Sequence, residues 1–240
     1  MSELPPSLVL FEDHHLVVVN KPAPLLTQAP PGVPSLEAAV KAYIKTKYAK
    51  PAGVYRGVPH RLDRPVSGVI CFCRNTKAAQ RVSGQFQDHI VRKTYWAAVE
   101  GTVTPTAGEW DDWVRKRPDE PRVERAAEGD AGAKRATLTY RVVQPLPGGT
   151  LLELSPHTGR MHQLRVQAAW RGHPVFGDWQ YESPTPFGPP ADLPRDRVIA
   201  LHARQLDFTH PFRGEPLSII APLPAYWPGV SDPDPRQAGG

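Results

Sequence analysis

Short apolar runs at residues 8–11 and 16–20 flank the polar stretch Glu12-Asp13-His14-His15, a pattern that predicts a β-hairpin ending at Lys21-Pro22. After the hairpin the period changes. Leu36, Ala39, Val40, Tyr43 and Ile44 fall on one side of a 3.6-residue repeat, predicting an amphipathic helix with Ser35 as N-cap and Lys41, Lys45 and Lys47 on its solvated face. Residues 69–74 read as a buried strand. The stripe Thr76, Ala79, Val82 and Phe86 then predicts a second helix, weakened by Gly84. From Lys93 to Glu100 the chain alternates as a strand that stops at Gly101, with Tyr95, Ala97 and Val99 on one core-facing side. On that pattern alone Tyr95 is a packed aromatic first and a functional one second.

The polar stretch 102–135, with its Pro, Gly and mixed charge, is expected to be a long surface loop or a frayed hairpin without chemistry. Residues 137–143 and 150–154 flank Pro147-Gly148-Gly149 and predict another hairpin. The segment from His157 to Arg165 reads as a turn feeding a helix, which should end near Gly172 because Pro174 follows. Its start offers free amides and basic side chains, a place suited to a phosphate. Apolar runs at 198–206 and 217–221 complete the expected sheet. Internal repeats are absent.

Composition narrows the class. At 240 residues, with 40% hydrophobic and 22% charged residues, the chain suits one catalytic domain with an ample core. The 29 prolines are about twice the usual share of roughly 5% and imply long irregular connections. A net charge of +5 permits a polyanionic partner, and its distribution says more. Residues 155–173 hold three arginines and three histidines without an acid, whereas acids gather between Glu100 and Asp130, which suggests one basic face. Cys71 and Cys73 share a strand face and read as core thiols of a reducing compartment. The histidines lack zinc-site spacing, no apolar run reaches membrane-span length, and the N-terminus lacks a signal pattern, so a cytoplasmic protein without metal or membrane contact is expected.

The candidate chemistry lies in His60-Arg61-Leu62-Asp63-Arg64-Pro65-Val66-Ser67-Gly68, where one carboxylate sits between two arginines. Nearby positive charge keeps an acid ionised if it is partly buried. Alone, the stretch is more readily read as a surface ion pair. A usual glycosidase would need a second carboxylate, a serine hydrolase would need a nucleophile elbow around Ser67, and Gly-rich phosphate loops are missing, which argues against a nucleotide cofactor. One ionised acid, arginine clamps and an aromatic acting on an anionic substrate remain.

Together with Arg92-Lys93-Thr94-Tyr95, the run from His157 to Arg165, Gly172-His173-Pro174-Val175-Phe176-Gly177-Asp178, Asn20-Lys21-Pro22 and Leu201-His202-Ala203, this motif resembles the ordered signature of the RluA-like pseudouridine synthases. The resemblance covers residues 7–228, leaving tails at 1–6 and 229–240, the second of which is expected to be flexible. It implies an α+β fold, a mixed and mainly antiparallel sheet with a central catalytic cleft and flanking helices. It also implies a cofactor-free, monomeric enzyme that isomerises uridine in structured RNA, tRNA or rRNA, without the N-terminal RNA-binding module of many relatives.

By that likeness Asp63 is the catalytic acid, Tyr95 stacks on the uracil and Arg165 pairs with Asp63. The aspartate attacks sugar or base, or removes a ribose proton. Arg61 resembles the residue that enters the RNA stack as the nucleotide flips. His60, Arg64 and Leu164 join the RNA-binding set, while Arg160, His162 and Gln163 are contacts for phosphate or base, or else a solvated helix face. The chain departs from the family at Val66, where threonine is usual, and at Pro24, where glycine is common. The rival readings are a non-catalytic RNA-binding protein of the same fold and, more weakly, a hydrolase of small glycosides or nucleosides.

Overall fold

A computed structural model describes residues 4–49, 57–227 and 229–230. In chain order its strands and α-helices are β1 (Val9–Glu12), β2 (Leu16–Lys21), α1 (Leu36–Lys47), β3 (Ser67–Cys73), α2 (Thr76–Gln87), β4 (Arg92–Glu100), β5 (Ala107–Lys116), β6 (Val123–Ala126), β7 (Lys134–Leu146), β8 (Gly149–Pro156), α3 (Gln163–Ala169), β9 (Leu201–Thr209) and β10 (Pro216–Ile220). They form two compact units. The first comprises the described residues up to Val91 with Ala203–Ala225, and the second comprises Arg92–His202 with the described part of Tyr226–Gly229. None of the described helices is long and apolar enough to cross a membrane.

The first unit orders its strands β1-β2-β3-β9, with β10 beside β9. The hairpin expected at the N-terminus is present, and β2 runs antiparallel to β3 from Leu16 opposite Cys73 to Lys21 opposite Gly68. All seven residues of β3 are buried, as befits a strand covered on both faces. Leu36, Ala39, Val40, Tyr43 and Ile44 of α1 are buried as the periodicity predicts, and the Ser35 hydroxyl accepts from Ala38 N at 3.3 Å. Asn75 caps α2 in the same manner. Gly68, the last residue of the candidate motif, has φ +118°, and a Cβ there would fall 2.3 Å from the Ala203 carbonyl oxygen of β9. Only glycine permits that approach.

The second unit orders its strands β4-β8-β7-β5-β6, all paired antiparallel. The β7–β8 hairpin matches the sequence reading. Residues 102–135 are more ordered than the loop or frayed hairpin expected: β5 and β6 pair as an antiparallel hairpin, and β7 begins within the stretch. The reason lies on the inward face of β5, where Trp110, Asp112 and Val114 are buried at period two. An acid in the middle of that face looks like a loop residue. Here it is compensated by α3 and the turn after it, because Gln167 Nε2 donates to the Asp112 carboxylate at 2.8 Å and the Arg171 guanidinium, just past the helix, donates to the same oxygen at 2.8 Å. Gln167 also bonds the Ala136 carbonyl at 3.0 Å. Val114, Val123, Ala136, Val166 and Tyr181 form the apolar core beneath that helix.

Candidate active site

Asp63 lies on the loop that enters β3, half-buried, between exposed Arg61 and buried Leu62 on one side and half-buried Arg64 on the other. The loop is held by its main chain. Thr27 Oγ1 donates to the Leu62 carbonyl at 2.9 Å and accepts from Leu62 N at 3.2 Å, so both peptide groups of the residue preceding Asp63 are engaged by one buried hydroxyl. The Arg64 carbonyl accepts from Leu25 N at 3.0 Å and from the Lys21 ammonium at 3.3 Å. Val66 N closes a turn onto the Asp63 carbonyl at 3.1 Å. The clasping segment is itself tied to the start of α1, since Leu36 N and Glu37 N donate to the carbonyls of Leu26 and Thr27.

Lys21 is fully buried, and its ammonium also donates to the carbonyls of Leu25 at 2.7 Å and Pro22 at 3.3 Å. Burial pulls its pKa down to about 7, against the opposing pull of the Asp63 carboxylate. A cation surrounded by carbonyl dipoles therefore sits under the acid's loop. His60, expected among the RNA contacts, faces inward: its Nε2 accepts from Cys71 N at 3.0 Å and its ring stacks on Phe86 at 4.7 Å.

In the second unit Tyr95 is half-buried on β4 opposite Leu154 of β8, while its strand mates Ala97 and Val99 are fully buried. Arg165 is buried on α3. Its Nε donates to Asp178 Oδ2 at 2.6 Å and its Nη2 to Asp178 Oδ1 at 2.8 Å, a two-pronged ion pair, with Gln180 Oε1 2.9 Å from the same Nη2. The guanidinium also lies 5.0 Å from the Tyr181 ring centre. His162 begins the helix in the left-handed region at φ 50°, and its Nδ1 is 2.9 Å from the Tyr181 hydroxyl.

The other predicted contacts of this helix divide. Arg160 is exposed, with Nε bonded to the Arg135 carbonyl at 2.9 Å. Gln163 and Leu164 are buried, and the Gln163 amide is spent on Thr158, Arg160 and Thr137. The Gln163 side chain thus shapes the turn at residues 157–160 from within.

Several residues of the site carry roles that the sequence reading did not assign. Lys21 and Thr27 act on main-chain atoms, which leave no trace in a pattern of side chains. Asp178, Gln180 and Tyr181 orient Arg165; Asp178 stands in a motif quoted above, but its pairing is tertiary. The described residues contain no group of three His, Cys, Asp or Glu side chains placed to hold a metal ion.

A sequence profile described as RNA pseudouridylate synthase matches residues 15–170, a span that includes Asp63, Tyr95 and Arg165. The tRNA pseudouridine synthase C of Salmonella typhi is 34% identical over 230 residues, covering 91% of this chain and 86% of that protein. The dual-specificity RNA pseudouridine synthase RluA of Haemophilus influenzae is 34% identical over 224 residues, covering 89% and 91%. An RNA pseudouridine synthase of Synechocystis is 32% identical, and the chain spans 66% of its length. Among solved structures, human RNA pseudouridylate synthase domain containing 4 superposes with a TM-score of 0.74 at 26% identity, over 91% of this chain and 89% of the other. The agreement of profile, relatives and fold is sufficient: the chain belongs to the RNA pseudouridylate synthase family.

Proposed function

We propose that this protein converts uridines of structured RNA, in tRNA or large-subunit rRNA, to pseudouridine, with Asp63 as the catalytic acid, Tyr95 as the platform for the uracil and Arg165 as the charge partner of Asp63. The carrying observation is that one family match runs through all three residues. In the reaction the N1–C1′ bond of the nucleotide breaks, a C5–C1′ bond forms, the C5 proton leaves to solvent, and N1 takes up a proton. The bond is inaccessible inside stacked RNA, so the nucleotide must first be extruded, at a cost of roughly a few kcal/mol. Stacking of the freed base on an aromatic returns about 1–3 kcal/mol. Exposed Arg61, two residues before the acid, suits the role of the wedge that fills the gap.

Electrostatics support the division of labour. The Asp63 carboxylate acts on the buried Lys21 ammonium, and in the other unit Asp178 holds the Arg165 guanidinium rigidly, which suits a reacting acid and a fixed charge. The test is release of tritium from uracil C5 of unmodified tRNA and large-subunit rRNA transcripts, without added metal or nucleotide. Wild type should release it, and Asp63→Asn should bind RNA with at least about a thousandfold slower release. RNA binding without product by the wild type would instead identify a silent member of the fold.

A further inference from the structure

Two residues before Tyr95, and on the same face of β4, stands Lys93. It is half-buried, and among the described residues its one hydrogen-bond partner is the Thr158 carbonyl at 3.4 Å, the outer limit of such a bond; it forms no ion pair there. Desolvation holds its ammonium below the usual lysine range. A cation kept partly out of water with one weak neutral partner is unfavourable by itself and becomes favourable when an anion arrives.

The surroundings fit an anion. The turn above Lys93 is firmly built: His157 N donates to the Thr137 carbonyl at 3.0 Å, the Thr158 hydroxyl meets Gln163 Oε1 at 2.7 Å, and Arg160 N donates to that same oxygen at 3.1 Å. At Gly159 no side chain covers the ammonium; a Cβ there would lie 3.9 Å from Lys93 Nζ. Exposed Arg92 and Arg160 add positive charge along the same strand and turn.

We infer that Lys93 is a phosphate-binding residue, its ammonium taking a non-bridging oxygen of the RNA backbone beside the uridine whose base meets Tyr95. The inference rests on the function proposed above and adds a named contact to it. Phosphate at this point would fix the extruded nucleotide's backbone while stacking fixes its base, so that position is defined at two places.

The salt dependence of RNA binding tests it, with pooled unmodified tRNA transcripts titrated between about 50 and 200 mM salt against wild type, Lys93→Met and Lys93→Arg. Lys93→Met should weaken binding about three- to tenfold and lower the slope of log affinity against log salt by about 0.7–0.9, the signature of one lost phosphate contact. Lys93→Arg should keep the slope. An unchanged slope in Lys93→Met overturns the inference, and if its melting temperature also falls, Lys93 serves only the turn. Tritium release on the same preparations separates the two claims. Wild type without product but with the slope effect intact would sink the isomerase reading alone, whereas product from wild type with no slope change in Lys93→Met would sink Lys93 alone.

Discussion

The loop that carries Asp63 and the side chain of Arg165 are fixed by different kinds of bond. Around Asp63 the protein grips the backbone: Leu62 through the Thr27 hydroxyl, Arg64 through Leu25 N and the Lys21 ammonium, with the carboxylate itself only half-buried. Around Arg165 it grips the side chain, with Asp178 and Gln180 occupying Nε and Nη2 and the Tyr181 ring beside the guanidinium plane. The difference follows from what each group is proposed to do. A reacting acid must meet substrate, and main-chain bonds fix the loop that carries it whatever its carboxylate touches. An arginine that supplies a fixed charge loses little by having two nitrogens engaged, and gains a defined orientation.

The comparison predicts unequal costs of disruption. The largest belongs to the arginine. Asp178→Asn replaces a buried anion with an amide that faces the guanidinium with a donor, leaving Arg165 buried without its full countercharge. Breaking such a pair costs about 3–5 kcal/mol, so urea unfolding of Asp178→Asn should show a loss of that order, with turnover reduced alongside. Wild-type stability in this variant would mean that Arg165 is not held through its side chain, and the contrast with Asp63 would collapse.

How much of this was legible beforehand depends on where the information sits. Helices α1 and α2 announce themselves by period and cap, and β2 and β3 by apolar runs, because each is decided by its own residues. Strand β5 was hidden because Asp112, on its buried face, is tolerable through partners distant in sequence, chiefly Gln167 and Arg171, 55 and 59 residues further on. The site divides along the same line. An acid between arginines can be seen in the sequence, whereas the clasp beneath it cannot. Thr27 bonds peptide atoms 35 residues away, and any residue at position 62 offers the same peptide atoms.

A smaller effect sharpens the backbone half of the comparison. An unfolded lysine titrates near 10.4, whereas Lys21 in the fold titrates at about 7. Between those values the unfolded chain binds the extra proton, so stability rises with pH through the window and is lost as pH falls toward 7. From pH 7 to 9 the gain is about 2 kcal/mol. Denaturant unfolding across that range should show it in the wild type, and Lys21→Met should flatten the curve. An equal rise in both would move the titration to another group.

The smallest expected effect belongs to Thr27, and it isolates the clasp most cleanly because valine keeps the shape and removes only the hydroxyl. Thr27→Val leaves the Leu62 N–H and carbonyl without their shared partner, a loss of about 1 kcal/mol in stability. If the clasp positions the acid, turnover should fall about three- to tenfold while KM stays within roughly twofold, since a displaced reacting group affects the transition state more than RNA binding. Thr27→Ser, which retains the hydroxyl, should restore most of that turnover despite its smaller side chain. A valine variant that is less stable yet turns over at the wild-type rate would show that the bonds to Leu62 hold the loop without aiming Asp63. The two regions would then differ in stability alone, with the side-chain grip on Arg165 left as the arrangement that orients a functional group.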